Sequence, residues 1–477
     1  MKLPPALFRR LPATVLALAL ISPAVPAQTA ATNAPAPAPS SALTAGSNST
    51  PTWISQPLSL AEAVNIALRQ NGSIRRGQSD LEAAYGVVVQ TRAIALPTLR
   101  ATGSFQATSL AETFPFPNSP PPQEQSWSAG LQLVQTIYDG GKMTAALRSA
   151  KLTKQQAILQ YETTVADALL QVRLAYYDVL LAADQIAVNE ASVKLLTRQL
   201  ADQKSRFEAG TVPRFNVLQA EVELSNERPK LIQARNAFRI AKNNLVNLLG
   251  YNLPAVVLED IPLHLTDQLD ANPYPVELPA AVAQALANRT ELAALRQAER
   301  IRNENLRSTK GGYQPTVQLV GGYGGRNSYY NNDLSRDVRG FTGGAQFSWN
   351  IFDGYLREGQ IAQAKAQKEG AETDFANETR TVEIEVRTQY SNFIEATEIL
   401  ESQKKVREEA EEALRLAMAR NKAGTGTQLD VLSAQTALTQ ARSTTVQALH
   451  DYDAARARLE RAMGLKTWGA TPLPGAK

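Results

Sequence analysis

The chain has 477 residues, 44% hydrophobic and only 6% aromatic, with 49 basic against 45 acidic side chains. This composition belongs to a large folded protein with more chain than one ordinary domain needs. The absence of cysteine removes disulfide frameworks, thiolate zinc sites, nucleophilic cysteines and a lipid-modified N-terminal cysteine. His264 and His450 are the two histidines. They stand far apart, without a helical i, i+4 partner or a nearby carboxylate pair, so two partly exposed side chains are expected rather than a metal or acid–base site. No catalytic, cofactor-binding or metal residue is expected. The +4 formal charge falls to about +1 once the basic residues of an export signal are removed. No basic patch with interleaved aromatics stands behind the sequence pI of 9.0, so nucleic acid is not an expected partner.

Residues 1–27 have the pattern of a signal peptide. Lys2, Arg9 and Arg10 form a basic start, Val15 to Ile21 an apolar core, and Val25-Pro26-Ala27 a small-residue cleavage site. The apolar run is too short, and too interrupted by Pro12 and Pro23, to span a bilayer as a helix. After Ala27 no run of 18 apolar residues occurs, so membrane residence requires β-strands or surface attachment. Residues 28–57 are Ala, Pro, Ser, Thr, Gly and Asn almost throughout, the composition of a disordered leader.

The remainder is a tandem duplication. A shift of 218 places Leu60, Ala63, Val64, Ala67 and Leu68 on Leu278, Ala281, Val282, Ala285 and Leu286, and Pro97-Thr98 on Pro315-Thr316. A shift of 214 then places Ile137, Asp139 and Gly140 on Ile351, Asp353 and Gly354, and Ala209-Gly210-Thr211 on Ala423-Gly424-Thr425. The change of offset falls in a loop marked by Pro115, Pro117 and Pro120 to Pro122. Register carried through proline, glycine and aspartate landmarks is not produced by compositional bias. The implied organisation is a first repeat over 58–250, an inter-repeat segment over 251–275, a second repeat over 276–464 and a tail over 465–477.

In chain order, Leu58 to Asn71 has amphipathic helical spacing, with Ser59 and Glu62 set as a capping box. A second helix runs to Pro97. The period then changes to two, predicting strands from Pro97 to Ala107 and from about Ser128 to Tyr138. The second copy predicts strands from Thr316 to about Tyr323 and from Gly344 to Phe352, with Gly321, Gly322, Gly324 and Gly325 as a flexible strand end. Asp139-Gly140 and Asp353-Gly354 mark turns whose aspartates are expected to cap the next helix.

From Met143 to Phe207 there is no proline or glycine, and apolar residues recur every seven positions from Ile158 through Val165, Val172 and Val179 to Phe207. Such a row predicts a supercoiled helix of about 65 residues, about 100 Å long. The copy from Arg357 to Arg420 keeps Val386, Phe393, Leu400 and Leu414 but has Arg407 in the row, so its seam is weaker there. Each long helix ends at a glycine turn and a shorter helix returns to Gly250 or Gly464. Pro229 lies inside the first return helix, where it removes a donor and is expected to bend the rod. Four amphipathic strands cannot close a barrel alone, so oligomerisation is required: two chains give eight strands, three give twelve. Trp127, Tyr138, Phe341, Trp349 and Phe352 suit aromatic girdles at a membrane interface.

From residue 58 to 464 this order of elements, the Asp-Gly strand exits and the segment Ala423-Gly424-Thr425-Gly426-Thr427-Gln428-Leu429-Asp430-Val431-Leu432 resemble the TolC-like outer-membrane efflux and type I secretion channels. The resemblance implies a mainly α chain with membrane β-strands: a homotrimer with a twelve-stranded barrel in the bacterial outer membrane, continued through the periplasm by a helical barrel of coiled-coil hairpins. It implies no enzyme activity. Its implied partners are a periplasmic adaptor, an inner-membrane pump that supplies the energy, and outer-membrane lipid. Residues 251–275 would form a belt around the helices. The hairpin tips, Ala209, Gly210 and Thr211 with Ala423, Gly424 and Thr425, would meet the adaptor. Asp430 matches an aspartate that lines the periplasmic aperture, where threefold symmetry would set three carboxylates around a narrow aqueous ring and attract cations. Taken alone, Asp430 reads as a solvated first-turn residue stabilised by its helix dipole, and it is the resemblance that favours the ring. The chain departs from the family at Ser433, where a second aspartate can stand, and at Gly426 and Asn421, which replace an arginine and a tyrosine that lock the closed entrance. Phe215 and Asn216 stand where those bonds are received, so the closed state is expected to be held differently. The competing reading is a periplasmic coiled-coil scaffold or adaptor without a pore, which leaves the paired strands unexplained.

Overall fold

A computed structural model of the chain describes residues 56–108, 125–251, 260–327, 334–335 and 337–466. The export signal, the leader to residue 55, the proline-rich loop, residues 252–259 and the tail from residue 467 lie outside the described residues.

The first half carries β1 (Pro57–Leu58), α1 (Leu60–Gln70), α2 (Gly72–Ala93), β2 (Thr98–Ala107), β3 (Gln125–Tyr138), α3 (Lys142–Glu208) and α4 (Arg214–Leu248). The second carries β4 (His264–Leu265), α5 (Leu278–Asn288), α6 (Thr290–Lys310), β5 (Thr316–Asn327), β6 (Asp337–Ser348), α7 (Leu356–Lys422) and α8 (Gln428–Ala462). Both long helices have 67 residues and both return helices 35, so the repeat is preserved in length as well as order. Helix α4 runs unbroken past Pro229. Leu58 does not open the first helix as its spacing predicts. It pairs in parallel with Leu265, a contact between short segments far apart in sequence that leaves no local periodicity. The helix starts after Ser59, whose hydroxyl accepts from Glu62 N at 3.3 Å while Ser59 N donates to Glu62 Oε2 at 3.0 Å. That reciprocal pair is the predicted capping box.

The helices form a layer in which each long rod is flanked by half-length helices. Toward the strands the neighbours run α2, α3, α6, α7, and toward the hairpin turns α7, α8, α3, α4. Val165, Val172 and Val179, with Tyr161, Ala168, Ala175 and Ala182, are buried along α3. Each fully buried valine contributes about 1.5–3 kcal/mol, so the middle of the rod is its anchor. The row thins toward the turn, where Phe207 is 43% exposed. On α7, Val386, Phe393, Leu400 and Leu414 are buried and Arg407 only half-buried, which is the weaker seam expected there.

The four longer strands make one antiparallel sheet in the order β2-β3-β5-β6. In the second pair β5 starts at Thr316 as expected but runs longer, and β6 is longer and placed earlier, than period-two alternation predicts. Strand β5 extends to Asn327, so Gly321, Gly322, Gly324 and Gly325 lie within it rather than beyond it. Strand β6 starts at Asp337 and ends at Ser348, short of Phe352. Glycine carries no side chain to alternate, which hides the strand from a pattern search. Its place here is close approach of backbones: a Cβ on Gly130 would meet Gly324 Cα at 3.2 Å.

Directly paired residues share a face, so the register sorts the sheet. One face holds Leu99, Leu133, Gly321 and Gly343 in one row, Ala101, Leu131, Tyr323 and Phe341 in the next, then Phe105 and Trp127. The other holds Arg100, Gln132, Gly322 and Thr342, then Thr102, Gly130, Gly324 and Gly340. Trp127 sits toward one end of the apolar face and Tyr138 at the other, with Trp349 just past β6. Phe341 is mid-strand, its ring 4.8 Å from that of Tyr323, and Phe352 lies beyond the strands against Tyr355.

The two Asp-Gly junctions differ. Asp139 Oδ2 accepts from Met143 N at 2.7 Å, as a cap should. Asp353 does not cap α7 with its side chain: Tyr355 takes a left-handed conformation ahead of the helix, and Asp353 Oδ2 instead meets Arg357 Nε at 3.1 Å.

Candidate functional site

The sheet cannot be complete in one chain. Every residue of β2 is exposed, and all but one of β6, so neither face is covered and β2 and β6 present unpaired edges. Strands of 10 to 14 residues match the tilted length that crosses a bilayer as β-structure, about 9–11 residues. An apolar face backed by a polar, glycine-rich one is the wall of a membrane barrel with an aqueous interior. No described helix is long and apolar enough to cross a membrane.

The helical layer is open in the same sense. Its edges toward the turns are α4 and α7, and each exposes an apolar stripe: Phe215 and Val222 one heptad apart on α4, Ile399 and Val406 one heptad apart on α7. Heptad-spaced apolar residues on an outer helix face await a partner helix.

At the tips the two hairpins are built alike. Gly210 and Gly424 take φ of 73° and 78°, which lets Thr211 N donate to Arg206 O at 2.9 Å and Thr425 N to Arg420 O at 3.0 Å. Each is the six-to-one bond that closes a helix C-terminus. Ala209, Gly210 and Thr211, and Ala423, Gly424 and Thr425, are all exposed. In the second tip Asn421 Nδ2 donates to Gly426 O at 3.4 Å. Asp430 forms a capping box with Thr427: its Oδ2 accepts from Thr427 N at 2.9 Å and its N–H donates to Thr427 Oγ1 at 3.2 Å. The Thr427 backbone N–H, then its hydroxyl, hold the Asp430 carboxyl below its ordinary range, so it is charged at neutral pH although exposed. Ser433 is exposed one turn on. Asn421, Gly426 and Asp430 are thus brought together on one tip. Asn216 belongs to the other, where its N–H donates to Pro213 O at 3.1 Å, and Phe215 beside it is 69% exposed. Among the described residues no hydrogen bond joins the side chain of Asn216 to the second tip.

A polar seam between α3 and α8, one helix from each hairpin, is not legible in the sequence. It includes Arg173 to Glu460 at 2.8 Å, His450 to Asp178 at 2.9 Å, Ser443 to Gln185 at 2.8 Å and Gln203 to Gln428 at 3.1 Å. His450 is therefore not isolated from carboxylates as expected: it lies between Asp178 and Asp451, the latter at 3.0 Å. One partner comes from 272 residues away, which no spacing rule finds. Burial opposes its charge, but the two carboxylates outweigh burial and raise its pKa above the ordinary value. One turn on, burial pushes Asp453 up to about 6. His264 is exposed, as expected.

The sequence matches the outer membrane efflux protein family over residues 63–251 and 281–465, one segment in each repeat. The chain belongs to that family. It is 25% identical to the outer membrane protein TolC of Escherichia coli over 421 residues, 86% of this chain and 83% of that one. It is 25% identical to the alkaline protease secretion protein AprF of Pseudomonas aeruginosa over 71% of this chain and 70% of that one. Among solved structures, the Campylobacter jejuni CmeC outer membrane channel superposes with a TM-score of 0.73 at 16% identity, covering 85% of each chain. As a family member the chain is an outer-membrane channel for efflux or type I secretion, with its helical part in the periplasm, and is not an enzyme. It works with adaptor and inner-membrane components.

Proposed function

We propose that three copies close head to tail, β6 of one chain pairing with β2 of the next and α7 packing against α4. A twelve-stranded barrel then opens into a periplasmic helical conduit. The observation that carries this is the four-stranded sheet with both faces uncovered and both edges unpaired. Eight strands would enclose only room for side chains, whereas the polar face here is rich in glycine and leaves a passage unfilled. Residues 1–27 are removed on export, and 251–275 belt the helices. The exposed tips at Ala209 to Thr211 and Ala423 to Thr425 receive the periplasmic adaptor, and the inner-membrane pump supplies the energy. Asp430 from each chain lines the entrance. Its capping bonds to Thr427 keep it ionised, so three copies would favour cations. A scaffold without a pore leaves the apolar face of the sheet in water, which costs what membrane insertion recovers.

Native mass spectrometry of the detergent-solubilised protein, with single-channel recording of the same preparation in a planar bilayer, tests this. A trimer with cation-favouring conductance is expected. A dimer, or a species that never conducts, would overturn it.

A further inference from the structure

Just below the strands, α3 and α6 flank an open cavity of about 320 Å³ lined by the exposed Arg148, Lys151 and Gln155 on one side and by exposed Arg300, half-buried Asn303 and buried Glu304 on the other. Three cations thus converge from two helices. The one carboxylate is Glu304, 7% exposed: its Oε1 accepts from Arg307 at 2.6 Å, while its Oε2 has no hydrogen-bond partner and lies 4.0 Å from Arg148. Lys151 and Arg300 have no carboxylate partner among the described residues. Three cations against the single carboxylate of Glu304 leave this space net positive, so a further anion between the helices would relieve their mutual repulsion.

Position identifies the anion. Helix α3 begins four residues after Tyr138, and it carries no Asp or Glu from Lys142 to Tyr161. At 1.5 Å per residue Arg148 lies about 9 Å and Lys151 about 14 Å along the helix from Lys142. The headgroup zone extends about 5–8 Å beyond the hydrocarbon on each side. Side chains on a helix lean toward its N-terminus, which is the membrane end for α3 but the far end for α6, so Arg148 and Lys151 lean to the interface and Arg300 meets them from below; long basic side chains reach further to place their charge at the interface. Basic clusters beside a membrane segment attract anionic lipid.

We propose that the cavity between α3 and α6 binds the phosphate of an anionic phospholipid in the periplasmic leaflet of the outer membrane. The binding rests on the outer-membrane placement of the sheet, not on the trimer or on Asp430.

The test is native mass spectrometry of the full chain titrated with phosphatidylglycerol or phosphatidylcholine. Wild type and a charge-matched control, Lys194→Gln with Lys404→Gln and Lys405→Gln, are expected to retain phosphatidylglycerol selectively. Arg148→Gln with Lys151→Gln and Arg300→Gln is expected to weaken that retention about a hundredfold, since each cation near an anionic surface is worth about fivefold. Lys151→Gln alone, which touches no carboxylate, is expected to weaken it about fivefold and guards against misfolding of the triple variant. Equal retention of phosphatidylcholine, unchanged retention by the variants, or displacement by inorganic phosphate as effective as by lipid would overturn the proposal, the last by making the site one for free anions. Conductance of the same preparations reads the channel separately, so loss of lipid binding with an intact channel condemns only the lipid site.

Discussion

Which face of the sheet meets lipid can be decided by two adjacent substitutions. Leu131 lies near the middle of β3, between Ala101 and Tyr323 on the apolar face, and is 51% exposed. Gln132, the next residue, lies between Arg100 and Gly322 on the polar face. A lysine at the lipid-facing midplane of a barrel costs about 2–4 kcal/mol, a factor of about 30 to 1,000 in the folding equilibrium. A lysine facing an aqueous lumen replaces one hydrated group by another and should cost less than about 0.5 kcal/mol. Leu131→Lys should therefore destabilise strongly and Gln132→Lys hardly at all, although the two are neighbours in one strand. Unfolding by denaturant from phospholipid vesicles, followed by fluorescence of Trp127 and Trp349, measures both. Equal costs would refute the assignment of faces, and a larger cost at Gln132 would reverse it.

Asp430→Asn keeps an acceptor for Thr427 N–H but removes the charge, so the helix should lose less than about 1 kcal/mol while cation preference falls; an unchanged reversal potential would leave Asp430 a capping residue only. Gly424→Ala, with open space around its Cβ and φ of 78°, should cost about 1–2 kcal/mol. Gly250→Ala should cost about 1–3 kcal/mol more, because its Cβ would fall 2.2 Å from Gln70 O; equal melting shifts would count against the close contact. The helix-to-helix contact of α3 with α8 should weaken as pH rises. His450, raised above 6.5, contributes stability that is full below 6.5 and lost through its folded value, and Asp453, raised from 3.8 to about 6, contributes stability lost as pH rises through about 6. Thermal stability should therefore decline from about pH 4 to about pH 6 as Asp453 ionises and decline again above 6.5 as His450 loses its proton, and His450→Gln should flatten the upper part of that decline.

The elements legible in sequence are those that repeat a local rule many times. The heptad row from Ile158 to Phe207 fixes α3 within a residue or two, and Ser59 with Glu62 fixes the start of α1, because each is decided by neighbours in the chain. Glycine defeats the same reasoning in β5 and β6, where backbones pack closely and no side chain marks a face. The parallel pair of β1 with β4 and the seam through His450, Gln185 and Gln203 depend on segments brought together by the hairpins. The tip residues are legible through a family resemblance and the glycine turns, whereas the capping box of Asp430 with Thr427 emerges only in the structure. The cations at Arg148, Lys151 and Arg300 are ordinary helix-surface residues until α6 is set against α3.

The same closure problem is posed twice in one chain, by a sheet and by a layer of helices, and the two must have one answer. Strands β3 and β6 lead into the long rods past Tyr138 and Ser348, and α2 and α6 lead into β2 and β5, so any rotation that closes the sheet also sets the spacing of the helices below it. On the polar face Gly130, Gly324 and Gly340 form a row across three strands, and Gly340 has nothing within 4 Å of an added Cβ. A barrel small enough to be filled by side chains would be left with voids along that row, which protein interiors do not tolerate. A wider barrel turns the same row to water, where bare backbone is already paired within the sheet and a missing side chain only widens the passage. The glycines of that row, among those that obscure the strands in the sequence, are therefore residues that favour the wider closure, and a conduit.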